Sequence, residues 1–371
     1  MQKNKALKSV YIHIPFCKKI CSYCDFCKNY YDEKKVNDYL NALENEIKNN
    51  YNNEVISTIY VGGGTPSCLS IDQLNKLFSI LEVIKKNDNY EFTFECNYDD
   101  ITIDKLRLLK KNEVNRISIG VQTFNEKYEK VLNRSINKKE IINKVNLTKK
   151  YFSNINLDLM YALPNETIND LKNDLKEFIK LDVKHISTYS LIVEKHTKLY
   201  IENLKEIDED LQYRMYELIN KELTKNEYNQ YEISNYAKKD YESKHNLTYW
   251  NNEEYYGFGL GASGFVNNIR YDNTKSINNY IKGNININEE TLSKEKLIED
   301  EIMLNLRKTG GINKDLFKKK YKVTFNEIYD ISDIIDKGYL KENKNNIYIP
   351  FKYLFVSNEI IIKILESKRI I

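Results

Sequence analysis

Short apolar runs rich in β-branched and aromatic residues recur through the first half of the chain. The runs are SVYIHIPF, STIYVGGG, YEFTFECN, RISIGVQ, INLDLMYAL and HISTYSLIV, and they extend from near Ser9 to near Val193. The stretches between them, such as VNDYLNALENEIKNN and IDQLNKLFSILEVIKK, space their apolar residues at three and four, as amphipathic helices do. Strands that alternate with helices in this way predict a parallel sheet.

The number of these units indicates how the sheet is arranged. Six βα units are fewer than the eight of a closed barrel, so we predict an α/β fold, a curved and partly open (βα)6 barrel. Its site should lie at the C-terminal ends of the strands. After about residue 200 the pattern changes to long helical stretches, an aromatic and Gly-rich patch, YWNNEEYYGFGLGASGF, and a tail, KGYLKENKNNIYIP, that predicts a small hairpin.

The change of pattern also suggests two domains. We place the boundary between residues 200 and 240, with a barrel domain over 1–235 and a smaller C-terminal α+β domain over 236–371. A length of 371 residues suits one large and one smaller domain.

Charge and hydropathy narrow the possible partners and the compartment. With 57 Lys and Arg against 54 Asp and Glu, the net charge of +3 is too balanced for a dedicated nucleic-acid or membrane surface. No apolar run reaches the ~18 residues needed to span a bilayer. The start, MQKNKALKSV, lacks the apolar core of a secretory signal. We therefore expect a cytoplasmic protein. The sequence leaves the oligomeric state open, with a homodimer among the options.

The strongest local signal is CKKICSYC, in which Cys17, Cys21 and Cys24 follow the first strand with CxxxCxxC spacing. A reducing cytosol favours metal binding over disulfides. Three thiolates from one loop can bind three corners of a four-iron four-sulfur cubane and leave the fourth iron open to a chelating ligand, such as the methionine part of S-adenosylmethionine. The alternative is a structural zinc site, to which Cys27 could supply a fourth thiolate.

A second motif, GGGTP, lies at the end of the second strand, over 62–66. Consecutive glycines let backbone amides approach a ligand closely, here the amino and carboxylate groups of methionine. Taken alone, the run is equally typical of an ordinary turn between a strand and a helix. The two motifs together are far more specific.

Five segments in the same order, YIHIPFCKKICSYCDF, YVGGGTPS, RISIGVQTFN, NLDLMYALPNET and HNLTYW, resemble the haem chaperone HemW family. These are radical S-adenosylmethionine proteins related to oxygen-independent coproporphyrinogen oxidase, and the resemblance covers roughly residues 8 to 350. It implies three bound groups, namely a 4Fe-4S cluster on the three cysteines, S-adenosylmethionine, and haem. It also implies that the partners are client haem proteins.

The resemblance implies S-adenosylmethionine contacts for nine residues, most of them near strand ends. Glu95 matches a carboxylate that meets the amino group of the cofactor, and for each polar member the alternative is a satisfied hydrogen bond at the sheet end. The nine residues are Tyr11, Tyr23, Gly63, Gly64, Thr65, Glu95, Gln122, Arg134 and Asp158.

The segment HNLTYW, His245 to Trp250, matches the motif associated with haem binding in this family. An imidazole can ligate haem iron, and neighbouring aromatic rings can pack on the porphyrin. The alternative is that His245 is a packed, hydrogen-bonded core residue.

The chain also departs from the family pattern at four positions. Asn133 and Ile136 stand where the family usually has the Gly and His of GRxH, Tyr98 stands where it has Pro, and Ser263 stands where His is common. These departures concern the substrate or haem side more than the cluster.

Two functions follow as hypotheses. The first is a haem chaperone that delivers haem to client proteins; the CxxxCxxCDF pattern favours it, since the decarboxylating oxidases carry CxxxCxxCxC. The second is the oxidase that converts coproporphyrinogen III to protoporphyrinogen IX, for which we expect more residues before the cluster motif than the 16 present here. A third option is a cluster protein that acts on another radical substrate.

Overall fold

The computed structural model describes residues 9–369. The first eight residues, which enter the prediction that no secretory signal is present, lie outside this range. The strands are β1 (Ser9–Ile14), β2 (Phe16–Cys17), β3 (Asn29–Tyr30), β4 (Ile56–Gly63), β5 (Lys86–Asn97), β6 (Arg116–Gln122), β7 (Asn154–Tyr161), β8 (His185–Ser190), β9 (Asn229–Gln230), β10 (Asn235–Ala237), β11 (Tyr255–Phe258), β12 (Ser263–Val266), β13 (Ile269–Asn273), β14 (Asn286–Thr291), β15 (Ile312–Asn313), β16 (Lys341–Glu342) and β17 (Asn346–Tyr348).

Most of the helices begin at polar caps that the sequence supplies. Asp32 caps the first helix, and capping boxes start the second and the sixth at Ser70 and Thr167. The helices are α1 (Glu33–Asn50), α2 (Ile71–Leu81), α3 (Ile103–Lys111), α4 (Glu129–Leu132), α5 (Lys138–Lys149), α6 (Ile168–Lys180), α7 (Lys198–Ile201), α8 (Glu209–Lys225), α9 (Lys244–Trp250), α10 (Ile277–Ile281), α11 (Lys294–Asn305), α12 (Lys314–Tyr321), α13 (Phe325–Ile328), α14 (Ser332–Asp336), α15 (Phe351–Leu354) and α16 (Ser357–Glu366).

The main sheet confirms the six predicted strands, which are β1 and β4 to β8. They pair in parallel, and the complete order of the sheet is β14-β13-β12-β11-β1-β4-β5-β6-β7-β8-β10-β9. The pairings within 9–369 leave β14 and β9 as the two ends of the sheet, in keeping with the predicted open barrel. The helix predicted up to Lys86 is shorter: it ends at Leu81, and Lys86 already pairs with Ile56 as the start of β5.

The sheet includes a seventh parallel strand that the sequence did not indicate. Strand β11 pairs with β1 and lies within the segment read as an aromatic and Gly-rich patch. Its glycine is required by close packing, because a Cβ at Gly257 would lie 1.8 Å from the carbonyl oxygen of Ser263. Glycine has low β-propensity, so this strand gives a weak pattern.

Two hydrophobic cores are present. The larger core belongs to the main sheet and its helices, and the smaller one is built from residues between Ile298 and Ile364 around the three-stranded sheet β15-β17-β16. This small sheet contains the predicted tail hairpin. The boundary placed at residue 235 falls inside β10, and the main sheet continues to Thr291. The division of the chain at that residue stays a prediction.

Helix α9 lies at the amino ends of the parallel strands. Ser9, Thr58 and Glu91 form one row across β1, β4 and β5. Thr248 is hydrogen-bonded to Ser9 at 2.7 Å, His245 to Thr58 at 2.8 Å, and Glu91 accepts from three donors at the start of α9. The helix therefore covers the end of the barrel opposite to the carboxyl ends of the strands.

We predict that Gly257→Ala destabilises the protein by at least ~1–3 kcal/mol, because the added methyl group would overlap the neighbouring backbone. Thermal unfolding measures the effect. Gly310→Ala is the matched control, since a Cβ there has no heavy atom within 4 Å. Equal melting temperatures for the two variants would contradict the close packing of β11 and β12.

Candidate functional site

A cavity of about 520 Å³ opens at the carboxyl ends of the parallel strands, where the sequence predicts the site. Eight of the nine residues predicted to contact S-adenosylmethionine line it, as do the three cysteines of the CxxxCxxC motif. The sequence-predicted residues in the cavity wall are Cys17, Cys21, Cys24, Tyr23, Gly63, Gly64, Thr65, Glu95, Gln122, Arg134 and Asp158.

The three cysteines enter the cavity from the loop that follows β1. Cys17 is 6 % exposed and accepts a hydrogen bond from the Thr65 hydroxyl at 3.3 Å, while the Arg134 guanidinium lies 3.8 Å from the sulfur of Cys21. Burial raises the pKa of Cys17 to about 11 and also raises the pKa of Cys24. Burial therefore favours the protonated form of these thiols, and a metal that binds them has to displace the proton.

Cys27 faces a different space. Its sulfur lies 4.0 Å from the carbonyl oxygen of Lys275, in a second pocket of about 310 Å³ that also contains Tyr11 and His13. Between residues 9 and 369, no group of three or more His, Cys, Asp and Glu side chains converges as a site for a single ion. This arrangement does not support the zinc alternative with Cys27. A cubane needs no such convergence, since each thiolate binds its own iron.

The glycine turn brings two strand ends into close contact. Gly63 has φ of 118°, and a Cβ on Gly64 would lie 2.9 Å from the sulfur of Cys17. The amides of this turn donate inside the protein: Gly63 to Glu95, Gly64 to Ile14 and Thr65 to the backbone at position 16. Glycine is needed at position 64 because the cluster loop approaches it closely. Since the amides of Gly63, Gly64 and Thr65 already donate within the protein, they do not form the expected cradle of free amides.

Glu95 is the carboxylate at the centre of the wall. It accepts hydrogen bonds from the Tyr60 hydroxyl at 2.7 Å and from the amide of Gly63 at 3.1 Å. Burial raises its pKa to about 7, against the lowering effects of these donors and of the Arg116 charge. A cationic amino group placed beside it would favour the ionised form.

Arg134 links the cluster loop to the end of β6. It donates to the side-chain oxygen of Asn97 and to the carbonyl of Gly120, besides its contact with Cys21. The Nε atom of Arg134 is buried and has no hydrogen-bond partner in the described range. Gln122, next to it, has φ of 71° at an irregularity in the pairing of β6 with β7, which turns the strand end towards the cavity.

Asp158 lies on the neighbouring strand and accepts a hydrogen bond from Asn156 at 2.7 Å. Burial raises the pKa of Asp158. Tyr23 lines the cavity beside the cluster loop, and burial raises its pKa as well. Tyr11 differs from the other predicted residues, because it lines the second pocket, where its hydroxyl is 3.0 Å from His13 Nδ1.

His245 is buried, with 1 % of its surface exposed, and both ring nitrogens have protein partners. Nδ1 is 2.8 Å from the Thr58 hydroxyl, and Nε2 is 2.8 Å from the Tyr249 hydroxyl. Burial lowers the pKa of His245 to about 3. The motif lies at the amino end of the barrel, about one strand length, roughly 17 Å, from the cluster loop. In this conformation His245 is a packed core residue, and protein hydroxyl groups occupy the positions next to both ring nitrogens.

Three of the four departures from the family pattern have local explanations. Asn133 takes the left-handed conformation, φ of 49°, that favours glycine, and its amide donates to the cluster-loop carbonyl of Ile20 at 2.9 Å. Tyr98 is buried and donates to the carbonyl of Ser135 at 2.8 Å, and Ile136 is a buried apolar residue. Ser263 lines the second pocket.

The cavity also contains polar residues that the sequence analysis did not select. Arg116, Ser118 and Asn156 occupy alternate positions of strands whose other residues are apolar. Period-two alternation of this kind is the signal that could have revealed them, since it marks one inward face. Asn246, from α9, lines the cavity as well.

The residues present fit an iron–sulfur cluster and a cofactor with a cationic amino group. Three cysteines reach one cavity, the glycine turn leaves no room for a side chain beside Cys17, and the buried Arg134 Nε is without a partner in the described range. Glu95 supplies a carboxylate for a cation.

The family comparisons agree with this geometry. The family model of the Radical SAM superfamily matches residues 11–178, and that of the HemN C-terminal domain matches residues 292–350. In solved structures, the fold is similar to coproporphyrinogen III oxidase (HemN) from Escherichia coli, described as a radical SAM enzyme. The TM-score is 0.85 and the identity 21 %, over 96 % of this chain and 89 % of that one. The protein has the radical SAM fold.

Relatives define the family more closely. The heme chaperone HemW of Lactococcus lactis subsp. lactis (strain IL1403) is 40 % identical, over 96 % of this chain and 97 % of that protein. The heme chaperone HemW of Bacillus subtilis (strain 168) is 38 % identical, over 95 % and 98 %. The chain belongs to the HemW family.

We predict that anaerobic reconstitution gives about four irons per chain and that Cys21→Ala abolishes the cluster, because the three thiols of one loop, Cys17, Cys21 and Cys24, line the cavity together. Cys27→Ser is the matched control and should leave iron content and the absorption spectrum close to wild type, since its sulfur faces the second pocket. A loss of iron in Cys27→Ser equal to that in Cys24→Ser would show a four-thiolate site instead.

We predict that His245→Gln lowers the free energy of unfolding by ~1–3 kcal/mol at pH 7. In the unfolded chain this histidine has a pKa of about 6.5, whereas in the folded protein its pKa is about 3. Below pH 6.5 the unfolded chain therefore binds a proton that the folded protein does not, and the folded state loses stability as the pH falls. His245→Gln should make this loss shallower by up to about 1.4 kcal/mol per pH unit.

Denaturant unfolding at pH 7 and pH 5 measures both effects. His13 and His185 are also buried, and burial lowers the pKa of each, so they contribute equally to the pH dependence of stability in both proteins. An unchanged stability together with a selective loss of haem binding would contradict the packed role and support iron ligation by His245.

Proposed function

We propose that the protein is a cytoplasmic haem chaperone that carries a 4Fe-4S cluster and S-adenosylmethionine, binds haem, and delivers it to client haem proteins. The single observation that supports this best is the full-length similarity to proteins named heme chaperone HemW, combined with a cavity that joins the three cysteines to the carboxylates and Arg134. Among residues 9–369 there is no helix with the length and apolar character needed to cross a membrane.

The cofactors would be held at the carboxyl ends of the strands. Cys17, Cys21 and Cys24 would bind three irons, and Thr65 and Arg134 would orient two of the sulfurs. When bound, the cluster and S-adenosylmethionine supply one-electron chemistry. Glu95 would accept from the amino group of the cofactor.

Haem has to bind away from His245 unless that residue leaves its core position. Large apolar side chains are exposed at the mouth of the cavity: Phe26 is 64 % exposed, Ile192 56 % and Tyr189 42 %. Such side chains suit the face of a porphyrin. We propose this rim as the place where the ring docks, next to the cluster loop.

We expect the reconstituted protein to bind haem with a shifted Soret band and to show no decarboxylation of coproporphyrinogen III under reducing conditions with S-adenosylmethionine. Replacing Phe26 by Ser should weaken haem binding, because the exposed ring contributes apolar contact area, and should leave iron content unchanged.

Phe351→Ser is the matched control, since Phe351 is an exposed ring, 38 % accessible, in the last part of the chain. Formation of protoporphyrinogen IX by the wild-type protein would overturn the chaperone assignment in favour of an oxidase.

A further inference from the structure

Two donors from one strand hold the carboxylate of Glu95. The Tyr60 hydroxyl, on β4, lies 2.7 Å from Glu95 Oε1, and the amide of Gly63, at the end of the same strand, lies 3.1 Å from Oε2. Because each oxygen has its own donor, the plane of the carboxylate is fixed. Each oxygen can still accept a further hydrogen bond, so the group can receive a ligand in this orientation.

Gly62, the first glycine of the GGGTP motif, leaves the space in which Tyr60 meets Glu95. A Cβ on Gly62 would lie 2.8 Å from Tyr60 Cε1 and 2.9 Å from Glu95 Cδ, closer than a side chain tolerates. Gly62 does not have a positive φ, so its backbone conformation does not require glycine. The requirement comes from the two side chains that meet beside it.

Aromatic rings support Tyr60 from the side away from Glu95. The centroid of its ring lies 5.0 Å from that of His245, on α9, and 6.1 Å from that of Tyr11, on β1. These distances are typical of packed aromatic pairs. The ring is therefore held between α9 and the carboxylate, with its hydroxyl directed at Glu95.

The hydrogen bond also affects the charge of Glu95. Burial raises the pKa of Tyr60 well above its usual value, so the hydroxyl keeps its proton and is the donor. Burial raises the pKa of Glu95 to about 7, and the hydrogen bond from Tyr60 is the strongest influence that lowers it. Tyr60 therefore favours the ionised carboxylate, which is the form that attracts a cation.

We propose that Tyr60 is a positioning residue for the cofactor, which keeps Glu95 ionised and directed at the amino group of S-adenosylmethionine. Gly62 is the glycine that permits this contact. The role rests on the proposed cofactor and adds to it two residues that the resemblance did not select.

The experiment separates this role from a general effect on packing. Cluster-loaded wild type and Tyr60→Phe are titrated, across a range of pH, with S-adenosylmethionine and with an analogue that lacks the amino group. The matched control is Tyr228→Phe, since Tyr228 is buried and donates to the carbonyl of Val183 at 2.8 Å. Melting temperatures and iron content show whether each variant is folded.

We expect Tyr60→Phe to weaken binding of S-adenosylmethionine about tenfold near pH 7, because a hydrogen bond to a charged group is lost. The loss of this donor raises the pKa of Glu95, so tight binding should require a higher pH than in wild type. Binding of the analogue should stay as in wild type, and Tyr228→Phe should behave like wild type with both ligands.

The other ionisable groups around Glu95 are the same in wild type and Tyr60→Phe, so they do not cause the expected shift. These groups, which influence Glu95 electrostatically from β1, β5, β6, β7, β8 and α9, are Tyr11, Cys96, Arg116, Asp158, Tyr189 and Tyr249.

Infrared spectroscopy without the cofactor provides a second readout. The carbonyl band of protonated Glu95, identified by its loss in Glu95→Gln, should disappear at a higher pH in Tyr60→Phe than in wild type. If Tyr60→Phe does not fold, Gly62→Ala decides, because its methyl group would separate Tyr60 from Glu95. It should show the same two shifts, with Gly310→Ala as its control.

Three outcomes would overturn the proposal. The first is an unchanged pH dependence of binding in the folded variant, and the second is equal weakening of S-adenosylmethionine and the analogue, which would show a packing role only. The third is an unshifted infrared band. A wild-type protein that does not bind S-adenosylmethionine would overturn the proposed cofactor instead, and the infrared titration would then test the action of Tyr60 on Glu95 by itself.

Discussion

Parallel pairing is the constraint on which the rest of the molecule depends. From β11 to β8 every neighbouring pair is parallel, so all the carboxyl ends open at one edge and all the amino ends at the other. Residues distant in sequence, such as Cys17, Glu95 and Asp158, therefore share one cavity. The same constraint leaves the amino ends to be covered, and α9 covers them with hydrogen bonds to Thr58 and Glu91.

The inward face of the barrel contains many buried polar and ionisable side chains. Burial raises the pKa of Glu95 and Asp158 and lowers that of His185 and His245, so the interior disfavours any added charge. The polar groups there form hydrogen bonds with one another. Asn156, for example, is hydrogen-bonded to Ser118, Asp158, Ser187 and His185. Such a network fixes side chains before a ligand arrives and limits the reorganisation that binding would need.

Much of this arrangement could be predicted from the sequence, because apolar strands and a cysteine motif have strong local patterns. The six strands and the cavity position of the three cysteines followed from them. Strand β11 could not be predicted, since Gly257 is there to accommodate the backbone at Ser263, a contact visible only in the fold. The packed state of His245 could not be predicted either, because its hydrogen-bond partner Thr58 is 187 residues away in the chain. The spacing of Cys27 alone allowed the zinc alternative, and only the fold shows that its sulfur lies in the second pocket.

The pairing of β1 with β11 has a consequence for the order of synthesis. Strand β1 leaves the ribosome well before its second neighbour, Tyr255–Phe258, which appears some 240 residues later. Until then β1 is an edge strand with open backbone groups, and the amino ends of the barrel lack α9. At roughly 5–20 residues per second this exposed state lasts on the order of 10–50 s. The nascent chain therefore needs protection from aggregation for that interval. In the folded protein the same edge of β1 is paired with β11.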